Sequence, residues 1–156
     1  MTDTIMHRAL TLCIMRKALF LVFVLLSFMS CKKNEGNINQ YENIPQIGIN
    51  VYLQLDQPAY FNLSAIGGYV YLNEGARGVI VYRTIDSYKA YERHSPHRSN
   101  EECAFVSADS SGIYAVEECD GIKYYLLDGT VATGDASVPL LQYQTQESQG
   151  TLHVYN

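Results

Sequence analysis

The sequence predicts an all-β protein, a sandwich or barrel of short antiparallel strands, on three observations. Apolar and polar residues alternate at period two through most of the chain beyond residue 48. Clusters of Asp, Asn, Ser and Gly interrupt that alternation at close intervals. All 13 tyrosines lie beyond residue 40, in a chain with no tryptophan, and tyrosine suits the pleated, half-buried surface of a strand. The 156 residues amount to one domain, and 47% hydrophobic against 17% charged residues can supply a core. A wholly disordered chain is excluded.

The first 30 residues read as an address removed from the fold. Arg16 and Lys17 precede a largely apolar run from Ala18 to Met29, which is too short for a membrane-spanning helix but suits a signal-peptide core. Ser30-Cys31 follows, a small residue before a cysteine. This junction resembles the lipobox of bacterial lipoproteins, which implies cleavage before Cys31 and lipidation of Cys31. A retained signal anchor is the other reading. Lipidation places a soluble domain outside the cytoplasm, tethered to a membrane through acyl chains. Lys32 directly after the lipidated cysteine resembles sorting signals for the outer membrane. Residues 31–48 are polar and Asn-rich and are expected to form a flexible tether.

Strands are expected at Ile49–Leu55, Tyr69–Leu72, Gly78–Thr84, Ser87–Glu92, Cys103–Ala108, Ile113–Glu118, Lys123–Leu127, Leu140–Thr145 and Thr151–Tyr155. Gly67-Gly68 introduces the second strand, and Asn73–Arg77 turns into the third. Asp109–Gly112, Asp128-Gly129 and Ser148–Gly150 punctuate the later ones. No segment carries a convincing helical period. The β domain is therefore expected to cover residues 49–156.

Charge narrows the partners. Three basic residues and one acid fall in the first 30 positions, leaving 8 basic and 15 acidic residues from residue 31 on, a net of −7. A nucleic-acid binder needs a basic face, so that class is excluded. No phosphate-binding glycine loop, H-E-x-x-H or convincing catalytic triad is present, and no enzymatic activity is expected.

The chemistry that remains lies between Ala90 and Leu140. Ser95-Pro96-His97, then Gly121-Ile122-Lys123-Tyr124 with Leu127-Asp128-Gly129, then Gly134-Asp135-Ala136 with Pro139-Leu140 and Tyr143, occur in that order. This series resembles the Rieske [2Fe–2S] domain family, over about residues 47–156. The resemblance implies a Rieske-like β fold and places the four cluster-ligand positions at Ser95, His97, Glu117 and Asp120. A Rieske centre needs two thiolates on one iron and two imidazoles on the other. Here three of the four are replaced by a hydroxyl and two carboxylates, hard donors that substitute poorly for soft thiolate. Shifting the frame to make Cys119 a ligand leaves Ile122 at a histidine position.

The expected protein is thus a lipid-anchored cell-envelope domain that keeps the loops of the family without its cofactor. It would act as a binding or accessory module for an envelope protein that the sequence does not name. A working [2Fe–2S] electron carrier is the alternative that the resemblance implies. Another metal held by His94, His97, Glu117 and Asp120 is a lesser expectation, since zinc accepts imidazole and carboxylate. Cys103 and Cys119 have a separate use. A hairpin turning at Asp109–Ile113, with Gly112 in the left-handed region, sets Cys103 directly opposite Cys119. Opposed Cα atoms lie about 4.5–5.5 Å apart, within reach of a disulfide, and an oxidising compartment would preserve one; two free core thiols are the other reading.

Overall fold

The structure is a computed structural model that describes residues 41–156. The expected signal segment, Cys31 with its expected lipidation, and residues 31–40 of the expected tether lie outside the described residues. Among the described residues there are ten strands: β1 (Asn50–Gln54), β2 (Tyr69–Leu72), β3 (Val79–Arg83), β4 (Tyr88–Glu92), β5 (Val106–Ala108), β6 (Tyr114–Glu117), β7 (Lys123–Tyr125), β8 (Val131–Thr133), β9 (Gln142–Ser148) and β10 (Thr151–Tyr155). They form a six-stranded sheet in the order β1-β10-β9-β4-β3-β2 and a four-stranded sheet in the order β5-β6-β7-β8. Every strand pairing is antiparallel. The all-β expectation holds.

Alternation explains where the core sits. One face of the six-stranded sheet contributes Leu53, Leu152, Val154, Tyr143, Ala90, Val81 and Val70 to a single cluster. Strands at opposite edges of the sheet thus meet, so the sheet curls over its own inner face. The other face of β3 and β4 offers Ile80, Tyr82 and Tyr91, which pack with Val106, Ala115, Tyr124 and Leu126 under the four-stranded sheet. β3 therefore lies in both cores, which is why its VIVY run is buried at every residue and shows no alternation in sequence.

Three boundaries differ from expectation. Pro58–Ser64 forms a 3-10 helix, with Pro near its start and Leu63 buried beneath it; seven residues are too few to show a helical period. β8 was not foreseen, because its three residues Val131–Thr133 sit among Gly, Asp and Thr. The packed chain also begins before Ile49. Ile44 is 2% exposed, and the Tyr41 hydroxyl donates to the carbonyl of Pro139 at 3.1 Å. Residues 41–48 are thus part of the folded body, held by one buried apolar side chain and one tyrosine hydroxyl in a segment whose average composition is polar.

The two ends of this body meet. β1 pairs with β10, Asn50 opposite Tyr155. The Ile49 amide donates to Asn156 Oδ1 at 2.8 Å, and Asn156 Nδ2 donates to the Ile47 carbonyl at 3.3 Å.

Candidate functional site

Two loops carry the four positions singled out in the sequence. The first leaves β4 and is closed at its base by the His94–Phe105 bridge and by the Ser95 amide donating to the Ala104 carbonyl at 3.1 Å. The second joins β6 to β7, where the Gly121 amide donates to the Glu117 carbonyl at 3.1 Å. The Glu118 amide donates to the Phe105 carbonyl at 3.1 Å, which seams the two loops together.

The Cys103–Cys119 disulfide crosses this seam, with Cα atoms 5.0 Å apart. Its register is not the expected one. β5 and β6 pair Val106 with Glu117 and Ala108 with Ala115, one residue away from the register that would oppose the two cysteines. The physical reason is the turn. Asp109 Oδ1 accepts from the Ser111 amide and hydroxyl at 3.1 and 2.6 Å, and the Asp109 amide donates to the Tyr114 carbonyl at 2.9 Å. The hairpin therefore closes on Asp109 and Tyr114, with Gly112 in the left-handed region at φ 67. The Phe105 amide donates back to the Cys103 carbonyl at 2.7 Å, a tight turn that carries Cys103 across to Cys119.

The four positions separate into two pairs. His97 Nε2 donates to Asp120 Oδ2 at 3.0 Å, and Arg98 Nη1 donates to both oxygens of the same carboxylate at 3.2 and 3.3 Å. These three side chains are partly open to solvent. The imidazole bond first, and the guanidinium second, hold the Asp120 carboxyl below the usual carboxylate range. With Ile122, Gly134 and Asp135 they line an open cleft of about 470 Å³.

Ser95 and Glu117 lie beneath. Ser95 is fully buried. Its hydroxyl shares a hydrogen bond with that of Tyr124 at 3.3 Å and accepts from the His97 amide at 3.2 Å. Burial raises the Tyr124 hydroxyl above the ordinary tyrosine range. Glu117 is 1% exposed; one oxygen accepts from the Asp120 amide at 2.9 Å, and the other has no partner among the described residues. His94 points elsewhere: its Nε2 donates to the Ser99 carbonyl at 2.7 Å, leaving Nδ1 buried without a partner.

Chemically the surface pair is a hydrogen-bonded imidazole and carboxylate, to which Arg98 adds an ion pair, and the buried pair is a hydrogen-bonded plug. Neither histidine has a ring nitrogen bonded to Ser95 Oγ, so the sequence neighbours do not assemble an activated nucleophile. Among the described residues, no three His, Cys, Asp or Glu side chains converge as a metal-holding group. Arg98 and Tyr124 were missed as partners. Tyr124 was visible inside the second-loop motif, but nothing local shows that its hydroxyl reaches Ser95, 29 residues away.

A deeper feature was also missed. Glu92, at the end of β4, is fully buried and accepts four hydrogen bonds. One oxygen takes the Ala76 amide and the Tyr143 hydroxyl, each at 2.7 Å. The other takes the Arg77 and His94 amides, each at 2.9 Å. Gly75, at φ 78, lies so close that a Cβ there would come within 2.4 Å of the carboxylate. The carboxylate pins the turn before β3 to the start of the first loop.

No protein-family model matches the chain, and no curated protein sequence does. Among solved structures, it is similar to a chain from a complex of reduced oxygenase and oxidized ferredoxin in carbazole 1,9a-dioxygenase. The identity is 22% and the TM-score 0.48, over 70% of this chain and 94% of that one. It is also similar to a putative NADH-dependent nitrite reductase small subunit from Mycobacterium tuberculosis, at 21% identity and a TM-score of 0.43, over 70% of this chain and 96% of that one.

Proposed function

We propose that this is a lipid-anchored envelope protein with a Rieske-like domain that holds its two loops together without an iron–sulfur cluster, and that it works as a non-enzymatic binding or accessory module. One observation carries the reading. Cys103 and Cys119 are joined to each other, so neither thiolate is free to ligate iron. The donors at the four ligand positions do not fit a [2Fe–2S] centre either. Ser95 is engaged with Tyr124, Glu117 with the Asp120 backbone, and His97 with the Asp120 carboxylate. One imidazole and no thiolate stand where the cluster needs two of each.

The disulfide and the His97–Asp120–Arg98 contacts supply the cross-links that keep such loops in register. What the module presents to its partner is then the loop tips and the cleft beside them. The test is direct. The full chain is produced in a host that assembles iron–sulfur clusters, extracted in detergent, and assayed for iron, acid-labile sulfide and visible absorption. The expected result is a colourless protein with neither element in stoichiometric amount. About two iron and two sulfide per chain would overturn the reading and restore that of an electron carrier.

A further inference from the structure

The outer face of β1, β10 and β9 in the six-stranded sheet has an unusual composition. Its outward positions are Asn50, Tyr52 and Gln54 from β1 and Thr151, His153 and Tyr155 from β10. The alternate residues of β9 from Gln142 to Ser148 add three glutamines and a serine. None of these ten positions is Asp, Glu, Lys or Arg, in a chain where charged residues make up 17%. None is aliphatic either. Edge strands ordinarily carry charge to discourage pairing with other chains, yet β1 is an edge strand without any.

The side chains on this face are ordered. Tyr52 stacks on His153 with ring centroids 4.2 Å apart and planes 4° from parallel. His153 stacks in turn on Tyr155 at 4.3 Å and 19°. The imidazole is therefore covered on both sides, and the free ring faces are those of the two tyrosines, with Tyr52 60% exposed. His153 Nε2 bonds to Asn50 Oδ1 at 2.7 Å. The Thr151 hydroxyl donates to Gln54 Oε1 at 3.0 Å, which leaves the Gln54 amide nitrogen to donate outward.

We propose that this face binds a neutral polysaccharide. Flat aromatic faces take the C–H face of a pyranose ring, and primary amides, each both donor and acceptor, match pairs of neighbouring hydroxyls. Protein hot spots are Trp, Tyr or Arg sunk in well-packed, desolvated pockets, whereas Tyr52 here lies 60% exposed amid side-chain amides. The net charge of −7 from residue 31 onward disfavours a polyanionic glycan. The pre-stacked rings present their faces with little conformational freedom left to lose. The inference stands apart from the loops and does not rest on the absence of a cluster.

The test is affinity electrophoresis of the detergent-solubilised full chain in native gels containing laminarin, dextran, mannan or xyloglucan, with polygalacturonate as the anionic comparator. At least one neutral polymer should retard the protein. Tyr52→Ala should weaken that retardation roughly tenfold, and Gln146→Ala should weaken it severalfold. Tyr52→Phe should preserve it, and Tyr125→Ala, on the other sheet, should leave it unchanged. Gln146→Ala is read alone if Tyr52→Ala fails to fold. The proposal is overturned if no neutral polymer retards the chain or only polygalacturonate does. It is equally overturned if both variants bind as the parent does, or if sedimentation shows a dimer that Tyr52→Ala dissolves. The iron and thiol content of the loops does not enter any of these outcomes.

Discussion

Replacing Glu92 by glutamine tests whether a buried carboxylate organises the approach to the first loop. The substitution keeps shape and volume but turns one acceptor oxygen into a donor group. Each carboxylate oxygen now accepts two bonds, so in either amide orientation two donors come to face an N–H₂. With a buried unsatisfied donor costing about 1–3 kcal/mol, and some relaxation of the turn, the expected loss is about 3–4 kcal/mol. For a domain of this size that corresponds to a fall of roughly 10–15 °C in Tm. The assay is thermal and urea unfolding followed by circular dichroism, with the disulfide kept oxidised. Tyr143→Phe removes one donor and leaves the carboxylate paired, so it should cost about 1–2 kcal/mol. Burial, and then the Glu92 contact, push the Tyr143 hydroxyl above the ordinary tyrosine range, so it remains a donor across the accessible pH range. The double variant should lose less than the sum of the singles, because the two share one bond. A Glu92→Gln protein within about 0.5 kcal/mol of the parent, as for a surface substitution, would refute the reasoning.

Further outcomes follow from the loops and the anchor. Reducing the Cys103–Cys119 bridge, whose cysteines are 16 residues apart, should lower stability by about 3 kcal/mol in the chain-entropy model. The folded, unreduced domain should titrate no thiol from these residues, and two reactive thiols there would sink both the bridge and the cluster-free reading. Asp120 should titrate below the ordinary carboxylate value of 3.8 in an NMR pH series, and His97→Ala should move it back up. Because its folded value is depressed, its contribution to stability is complete above the unfolded value. That contribution is lost as the pH falls through the folded one, in a window below about pH 4. A parent Asp120 titrating at or above the ordinary value would remove the ion pair from the account. Cys31→Ala should release the domain from membranes into the soluble fraction; a signal-cleaved variant that still sediments with membranes would end the lipid-anchor proposal.

Most strands were legible because their order is written locally. Val51, Leu53 and Leu55 alternate, and Asp109 to Gly112 is a turn on its own chemistry. The same locality explains the failures. Asp109 marks that a turn exists, but that Tyr114 rather than Ile113 closes the ladder opposite it is set by the backbone pairing of the folded hairpin. The seven residues Pro58–Ser64 and the three of β8 are too few to carry a period. In the loops, the order of motifs indicated that Ser95, His97, Glu117 and Asp120 belong together. It did not reveal that two are buried and two are open, because that depends on Tyr124 and Arg98. Glu92 was the least legible residue. In YKAYE it reads as a polar strand end, and its partners at Ala76, Arg77 and Tyr143 come together only in the folded chain.

The pairing of β1 with β10 bears on how the domain is made. Among the described residues its earliest strand pairs only with the latest, so a register joining Asn50 to Tyr155 closes a loop that spans nearly the whole domain. Loop-closure entropy grows only logarithmically with length, but it must be met before the contacts return anything. High contact order of this kind places folding in the slower, millisecond-to-second regime of β proteins. Until residues 151–155 dock, β1 is unpaired and β9 (QYQTQES) has an open edge with a single charge, Glu147. That edge is a template for pairing with other chains. Yield during synthesis therefore hinges on how quickly the last strand arrives, and slowing that step would feed aggregation even when the finished domain is stable.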